Sequence, residues 1–252
     1  MRRILIFIIF MLFSITIFAK EKNKLVVVLI DLSESTNKPA MRELYLKSFK
    51  KVLDKITHGD AFYVAPITEK SMLELNFIIQ EKKIVPVEIS KDTNILIEMR
   101  IRKDKANELK KKKEEIEKIV KDSLENQKRR IFKTDILSSL NMADERIFRV
   151  ADFKEFNKML VIMSDMIEDS KELNFEKENL TSEKINNIIN WRKNNGLIPN
   201  LKDVKVYVVG AYAKTPEKFR QIREFWFKYF SEAGAILLVE NYSPSCPVNI
   251  CE

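Results

Sequence analysis

Apolar and polar positions along the chain follow two different periodicities. Five short runs rich in Val, Ile and Leu are apolar at consecutive positions, as strands buried on both faces are; they cover residues 25–30, 61–67, 159–163, 204–209 and 235–240. Residues 40–56 and 219–230 instead carry apolar side chains at the spacing of amphipathic helices. Strands that alternate with such helices predict an α/β fold with a mostly parallel central sheet flanked by helices.

A long charged segment interrupts this alternation. Residues 71–101 hold several strand-like apolar pieces and predict at least one short edge strand. Residues 103–130 contain no Gly or Pro and read as one polar helix with a narrow apolar stripe, which consists of Leu109, Ile116, Ile119, Val120 and Leu124. Such a helix would be about 42 Å long, so we expect an insertion that projects from the domain and lies outside its core.

Basic residues concentrate in and around this predicted helix. Residues 98–133 contain 14 basic and 8 acidic side chains, a net charge of +6, whereas the whole chain has 45 basic and 37 acidic residues and a net charge of +8. One interpretation is a solvated helix face. The other is a helix that contacts an anionic surface, such as acidic protein, lipid head groups or nucleic acid.

The first 19 residues have the pattern of a targeting segment. Arg2 and Arg3 precede a predominantly apolar stretch at residues 4–19, and a charged run follows. This is the plan of a secretory signal peptide that ends at Ala19, and a retained N-terminal anchor is the alternative. Either interpretation predicts an exported protein, periplasmic or secreted, which is anchored to a membrane if the segment is not cleaved.

Composition narrows the class of protein further. With 45% hydrophobic residues among 252 and only 4 Gly and 7 Pro, the chain is neither disordered nor of low complexity. Its length predicts one large domain or at most two small ones, and residues 243–252 read as a tail. A single His and two Cys exclude most chemistry that needs a His dyad, a Cys–His pair or a Cys-rich zinc site. In an exported protein, Cys246 and Cys251 would form a short local disulfide in the tail, and two free thiols are the alternative.

Polar motifs follow three of the predicted elements. The first strand ends in the pattern D-x-S-x-S, which supplies Asp31, Ser33 and Ser35. Thr134 opens a predicted helix much later, and Asp165 follows the third long strand. Because ligands of parallel sheets bind beyond the carboxyl ends of the strands, we expect these loops to converge there. Their carboxylate and hydroxyl oxygens are ligands that hard divalent cations such as Mg²⁺ accept.

These motifs and their order resemble the metal-ion-dependent adhesion site of the von Willebrand factor A (VWA) domain family. The resemblance covers about residues 25–242 and implies a doubly wound, Rossmann-like sheet that binds one Mg²⁺ or Mn²⁺ ion. The ligands that it implies are Asp31, Ser33, Ser35, Thr134 and Asp165. The separation of 99 residues between Ser35 and Thr134 is longer than is usual in that family, which leaves Thr93 as the alternative third ligand. A helix cap at Ser35 or Thr36 is the alternative role for the first motif.

The resemblance also implies a non-enzymatic domain that binds a protein partner, whose carboxylate completes the coordination of the metal ion. No small-molecule substrate is expected, and the charged helix at residues 103–130 would add a contact to an anionic surface. Two other functions fit the same pattern. One is a structural component of a cell-envelope, secretion or conjugation assembly with a degenerate metal site. The other is a metal-assisted phosphoesterase, for which the sequence shows neither a second metal site nor a general base.

Overall fold

A computed structural model describes residues 22–69, 76–90, 92–126 and 131–251 of the chain. The strands are β1 (Lys24–Asp31), β2 (Ala61–Ile67), β3 (Ile79–Glu81), β4 (Asn157–Met163), β5 (Lys205–Val209) and β6 (Ile236–Ser243). The helices are α1 (Pro39–Asp54), α2 (Ile95–Glu125), α3 (Ile136–Ala143), α4 (Ser182–Asn194), α5 (Pro216–Glu232) and α6 (Val248–Cys251). The predicted targeting segment, residues 1–19, lies outside the described residues.

The strands form one six-stranded sheet in the order β3-β2-β1-β4-β5-β6. Neighbouring strands are parallel, except that β2 and β3 pair antiparallel at one edge. The prediction of a mostly parallel sheet flanked by helices is therefore confirmed. β3 is the short edge strand predicted within residues 71–101.

Helices cover both faces of the sheet because the side chains of each strand alternate between two cores. Along β1, Val27 and Leu29 pack with apolar residues of α3, α4 and α5. Val26, Val28 and Ile30 pack on the other face with apolar residues of α1 and α2. All five side chains are at most 1% exposed, so β1 is buried on both faces, as its unbroken apolar run predicts. This is the doubly wound arrangement.

The charged helix differs from its prediction. α2 runs from Ile95 to Glu125, so it begins eight residues before the predicted start at residue 103, within a piece that reads as strand-like. The expectation that this helix lies outside the core is wrong for its C-terminal half. Ile116, Val120 and Leu124 are 1%, 0% and 4% exposed and pack in the core that α1 shares. Their four-residue spacing places them on one face of the helix, which is enough to hold that half against the domain.

The N-terminal half of α2 extends beyond its contacts with α1. Lys50 Nζ of α1 is 3.2 Å from Glu117 Oε2 of α2. Lys113 Nζ donates to the carbonyl oxygen of Asp54, the last residue of α1, at 2.8 Å. Because the later residue of α1 contacts the earlier residue of α2, the two helices are antiparallel. Ile95 precedes Lys113 by 18 residues, so α2 continues for about 27 Å past the end of α1. Because α1 starts after the carboxyl end of β1 and returns to the start of β2, α2 projects at the amino edge of the sheet.

The C-terminal tail folds back onto the domain. α6 contacts α1, and Ile250 is buried in the core on that face. Cys246 is disulfide-bonded. The side chain of Cys251 lies outside the part of the chain that is described, so the pairing of Cys246 with Cys251 stays a prediction. Within the described ranges, no helix combines the length and the apolar character that a bilayer span requires.

Candidate metal centre

Loops from two neighbouring strands meet at the carboxyl edge of the sheet. Asp31 is the last residue of β1, and Asp165 follows the end of β4 by two residues. Because β1 and β4 are parallel and adjacent, the two acidic residues leave the sheet side by side. Ser33 and Ser35 lie in the turn that connects β1 to α1. This is the convergence that the order of the motifs predicts.

Hydrogen bonds connect four of the five predicted ligands in a chain. The Ser33 N–H donates to Asp31 Oδ1 at 2.8 Å, and Ser35 Oγ donates to Asp165 Oδ2 at 2.9 Å. Ser33 Oγ and Ser35 Oγ are 3.0 Å apart. Either hydroxyl can be the donor in this contact. Asp31, Ser33 and Asp165 are buried and Ser35 is exposed, so the cluster opens to solvent at Ser35.

The second oxygen of each carboxylate is also held. Ser164 Oγ donates to Asp31 Oδ2 at 2.8 Å and accepts from the Met166 N–H at 3.0 Å. The Ile167 N–H donates to Asp165 Oδ1 at 2.9 Å. The backbone of Met166 is in the left-handed region, with φ of 67°. The loop after β4 therefore fixes both carboxylates through a tight turn rather than through long flexible contacts.

Thr134 lies in a loop that runs between the other two loops. Its N–H donates to the carbonyl oxygen of Asp169 at 3.1 Å, and the Asp169 N–H donates back at 2.9 Å. Three residues earlier, Ile131 forms an isolated bridge with Ser33. Among the described residues, the Thr134 hydroxyl makes no hydrogen bond to the other four predicted ligands. Thr93 precedes the projecting end of α2 at the opposite edge of the sheet, so the placement favours Thr134.

Burial and mutual repulsion destabilise the charged forms of the two carboxylates. Burial, followed by the charge of Asp31, raises the pKa of Asp165 to about 7, from an ordinary value of 3.8. Burial also raises the pKa of Asp31, although hydrogen bonds from Ser33 and Ser164 oppose that change. Two buried carboxylates in one cluster favour the binding of a positive charge, which can be either a proton or a cation.

The alternative of a helix cap does not hold for Ser35 or Thr36. The residue at the N-terminal cap of α1 is Lys38, and no side chain caps that helix. Thr36 Oγ1 instead contacts the carbonyl oxygens of Asp31 and Ser33, both at 3.0 Å. Thr36 thus fixes the turn that presents the two serines.

Two buried groups beside the cluster were not predicted. Glu168 is fully buried, and its Oε2 accepts from the N–H groups of Ile136 and Leu137 at the start of α3, at 2.9 and 3.2 Å. Burial, followed by the charge of Asp135, raises the pKa of Glu168 to about 8. The buried Tyr45 hydroxyl has no hydrogen-bond partner in the described structure, and burial and the charges of the two site aspartates raise its pKa. Only the three-dimensional arrangement shows either group, although the MSDMIEDS run places an acidic residue three positions after Asp165.

The donor set fits a hard divalent cation. It combines two carboxylates with the hydroxyls of two or three small residues, and such ions take few protein carboxylates and retain water molecules. No group of three or more His, Cys, Asp or Glu side chains that could hold a metal ion occurs among the described residues. The candidate site instead combines two aspartates with several hydroxyls.

Models of known protein families give no match to the chain, and neither do curated protein sequences. Solved structures do match. Proximal thread matrix protein 1 from the mussel byssus, described with a zinc-occupied MIDAS motif, is 15% identical over 92% of this chain and 46% of its own, with a TM-score of 0.43. The ArnB paralog VWA2 from Sulfolobus acidocaldarius is 14% identical over 92% and 45%, also at 0.43. A von Willebrand factor type A protein from Catenulispora acidiphila is 13% identical over 84% and 42%, at 0.37.

The chain spans less than half the length of each of these proteins. Of these three structures, two are described as VWA proteins, and the third is described with a MIDAS motif, the abbreviation for a metal-ion-dependent adhesion site. The chain is therefore similar in fold to solved structures described as VWA proteins.

Proposed function

We propose that this chain is an exported domain that binds a protein partner through one divalent cation, Mg²⁺ or Mn²⁺. The ligands would be Asp31, Ser33, Ser35, Thr134 and Asp165. The observation that carries the proposal is the pair of buried aspartates that two adjacent strands direct into one cluster of hydroxyls at the carboxyl edge of the sheet. Export, to the periplasm or the exterior, is proposed from the targeting pattern at residues 1–19.

The residues of this centre have different roles. Asp31 and Asp165 supply the negative charge, and Ser164 and the Ile167 N–H orient their carboxylates. Ser35 is the exposed member, so a partner approaches from its side. The bound cation would supply a coordination position that accepts a carboxylate oxygen from that partner. Binding rather than catalysis is proposed because Asp31 and Asp165, the two carboxylates of the cluster, are both assigned to the cation as ligands.

The position of the single histidine argues against the phosphoesterase alternative. His58 lies in the turn before β2, at the amino edge of the sheet, with Nδ1 2.8 Å from the carbonyl oxygen of Val85. A hydrolase that uses this centre would need its base within hydrogen-bond reach of a substrate there. The alternative of a structural component with a degenerate site makes a different prediction, namely that no ion binds.

Titration calorimetry and thermal unfolding with Mg²⁺ and Mn²⁺ test the proposal. An ion that binds only the folded state raises the melting temperature, by an amount that grows with ion concentration. We expect this rise in the wild type and its loss in Asp31→Ala. Glu34→Ala is the matched control, because Glu34 is an exposed carboxylate in the same turn and should leave the rise intact. If millimolar ions neither bind nor shift the wild-type melting temperature, the site is degenerate and the proposal fails.

A second experiment addresses the partner. Protein captured from the cell envelope of the source organism on immobilised wild-type chain should be released by a chelator. It should be lost with Asp31→Ala and retained with Glu34→Ala. If the chain binds the ion but captures no protein in a chelator-sensitive way, the metal site stands and the proposed binding of a partner through it is contradicted.

A further inference from the structure

The first turns of α2 expose apolar side chains that the rest of the domain does not cover. Ile95, Leu96, Ile97 and Met99 are 70%, 72%, 55% and 63% exposed. They lie at the end of the helix that continues about 27 Å past its contact with the end of α1. Apolar side chains exposed at this density mark an interaction surface. We refer to residues 95–99 as the α2 tip.

The α2 tip is apolar on several sides of the helix rather than along one stripe. Successive residues of an α-helix are rotated by about 100°, so Ile95, Leu96 and Ile97 point in three different directions. A helix that docks in a protein groove, or against a second copy of itself, presents one apolar face to it. An apolar end whose one polar side is formed by Glu98 fits a medium that surrounds it better than a groove that meets a single face, and this favours a bilayer over a protein groove.

Basic side chains follow the α2 tip directly. Arg100 and Lys103 are exposed, and neither forms an ion pair within the described residues. The only acidic residue of the tip, Glu98, is paired with Arg102 at 2.7 Å, which offsets its charge. Residues 95–113 contain eight basic and three acidic side chains. This charge is complementary to a surface of anionic lipid head groups.

The dimensions agree with interfacial insertion. The five residues of the α2 tip rise about 7 Å along the helix axis. Amphipathic segments at membrane surfaces bury their apolar side chains to about 5–10 Å. Insertion of the α2 tip would therefore bring Arg100 and Lys103 to the level of the phosphates.

The start of the domain lies on the same side as this projection. Lys24 Nζ donates to the carbonyl oxygen of Lys55 at 3.3 Å, one residue from the Asp54 carbonyl that Lys113 contacts. The apolar segment at residues 4–19, outside the described residues, thus joins the domain at the edge from which α2 projects. Asp31 lies at the opposite edge of the sheet.

We propose that the α2 tip inserts into the acyl region of an anionic lipid bilayer, with Arg100 and Lys103 at its phosphates. The candidate metal centre then faces away from the membrane. This inference does not depend on whether that centre binds an ion.

Tryptophan fluorescence of the full chain tests this proposal at the tip itself. Leu96→Trp places an indole in the α2 tip, and Ala106→Trp places one at an exposed position about 15 Å further along the same helix. Each variant is mixed with vesicles of phosphatidylglycerol and phosphatidylcholine in equal parts, or of phosphatidylcholine alone, with bromine on the acyl chains. Wild-type protein gives the background of Trp191 and Trp226. The readout is local, so attachment of the chain through residues 1–21 does not produce it.

We expect the emission of Leu96→Trp to shift to the blue and to be quenched by brominated anionic vesicles, while Ala106→Trp is unaffected. Adding Ile95→Asp and Ile97→Asp should abolish the shift. Arg100→Glu with Lys103→Glu should remove the preference for anionic over neutral vesicles, and high salt should weaken it.

Three results would overturn the proposal. The first is emission of Leu96→Trp that stays that of a water-exposed indole with anionic vesicles. The second is equal quenching of Ala106→Trp. The third is a blue shift that grows with protein concentration in the absence of vesicles, which would identify a second copy of the chain as the occupant of the tip.

Discussion

Ser35 Oγ donates a hydrogen bond of 2.9 Å to Asp165 Oδ2, although 130 positions separate the two residues in sequence. The bond ties the turn after β1 to the loop after β4. It also sets an exposed hydroxyl against a carboxylate that is only 5% exposed. A group that reaches the centre from solvent therefore meets Ser35 first, and it competes with the Ser35 proton for the same oxygen.

Ion binding at this centre should weaken as the pH falls below about 7. The pKa of Asp165 is raised to about 7, so below that pH a proton occupies the carboxylate that the ion requires. The apparent affinity for Mn²⁺ should then fall by up to about tenfold per pH unit. Calorimetric titrations between pH 8 and pH 5 measure this dependence. Asp165→Asn should bind weakly with a flatter profile, and a steep profile in that variant would assign the proton to another group.

The buried Glu168 should make the free energy of unfolding fall as the pH rises. Its pKa in the folded protein is about 8, against an ordinary value of 4.5, so the folded state holds a proton that the unfolded state releases. The associated stability is complete below about pH 4.5 and is lost as the pH rises through 8. Urea unfolding at several pH values should show a smaller decline in Glu168→Gln. The exposed Glu145→Gln is the control and should keep the wild-type slope.

The C-terminal half of α2 should be required for folding. Ile116→Ala removes a side chain that is 1% exposed and should lower the free energy of unfolding by about 2–5 kcal/mol. Ile119→Ala, three residues along the same helix at 37% exposure, should lower it by about 0.5 kcal/mol or less. Equal effects of the two substitutions, measured by denaturant unfolding, would mean that α2 does not pack on α1 in solution.

Most of the sheet was predictable because its inner strands have unbroken apolar runs. The start of α2 was not, because Ile95, Leu96 and Ile97 in succession are typical of a strand. They are helical because Asn94 caps the helix, accepting from the Leu96 N–H at 2.9 Å, and because a long helical sequence follows. α4 was not predicted because its sequence is largely polar. Only two of its apolar side chains, Ile185 and Ile189, are buried.

The candidate site was also predictable only in part from the sequence. The convergence of Asp31, Ser33 and Asp165 follows from sheet topology and could be predicted from the motifs. The role of Glu168 could not, since it depends on the N–H groups of α3, about thirty positions away in sequence. Burial of a carboxylate beside a helix start leaves no periodic trace in the sequence.

Gly210→Ala should destabilise the domain more than Gly196→Ala. Both glycines have positive φ, at 91° and 66°, so both substitutions carry backbone strain. A Cβ at position 210 would lie 2.9 Å from Tyr45 Cε1 and 2.9 Å from Met41 Cε, whereas one at position 196 would meet nothing within 4 Å. Overpacking should add about 1–3 kcal/mol to the loss at Gly210 alone. Equal losses in thermal unfolding would contradict the close packing of α1 against β5 at this point.

Cys246 and Cys251 should be joined in the exported protein and reduced when the targeting segment is deleted. So small a loop should stabilise the domain by about 2 kcal/mol at most. Mass spectrometry of unreduced peptides distinguishes the linked pair from two free thiols, and free thiols in exported protein would contradict the prediction.

The two edges of the sheet differ in how they are protected. β3 is three residues long, and its Glu81 is ion-paired with Lys112 of α2 at 2.8 Å. β6 is eight residues long, pairs with β5 alone among the described strands, and exposes Val239 at 65%. Open apolar edges are templates for strand addition between molecules. Concentrated samples should therefore aggregate through β6, and Val239→Lys is the substitution that should keep purified protein monodisperse.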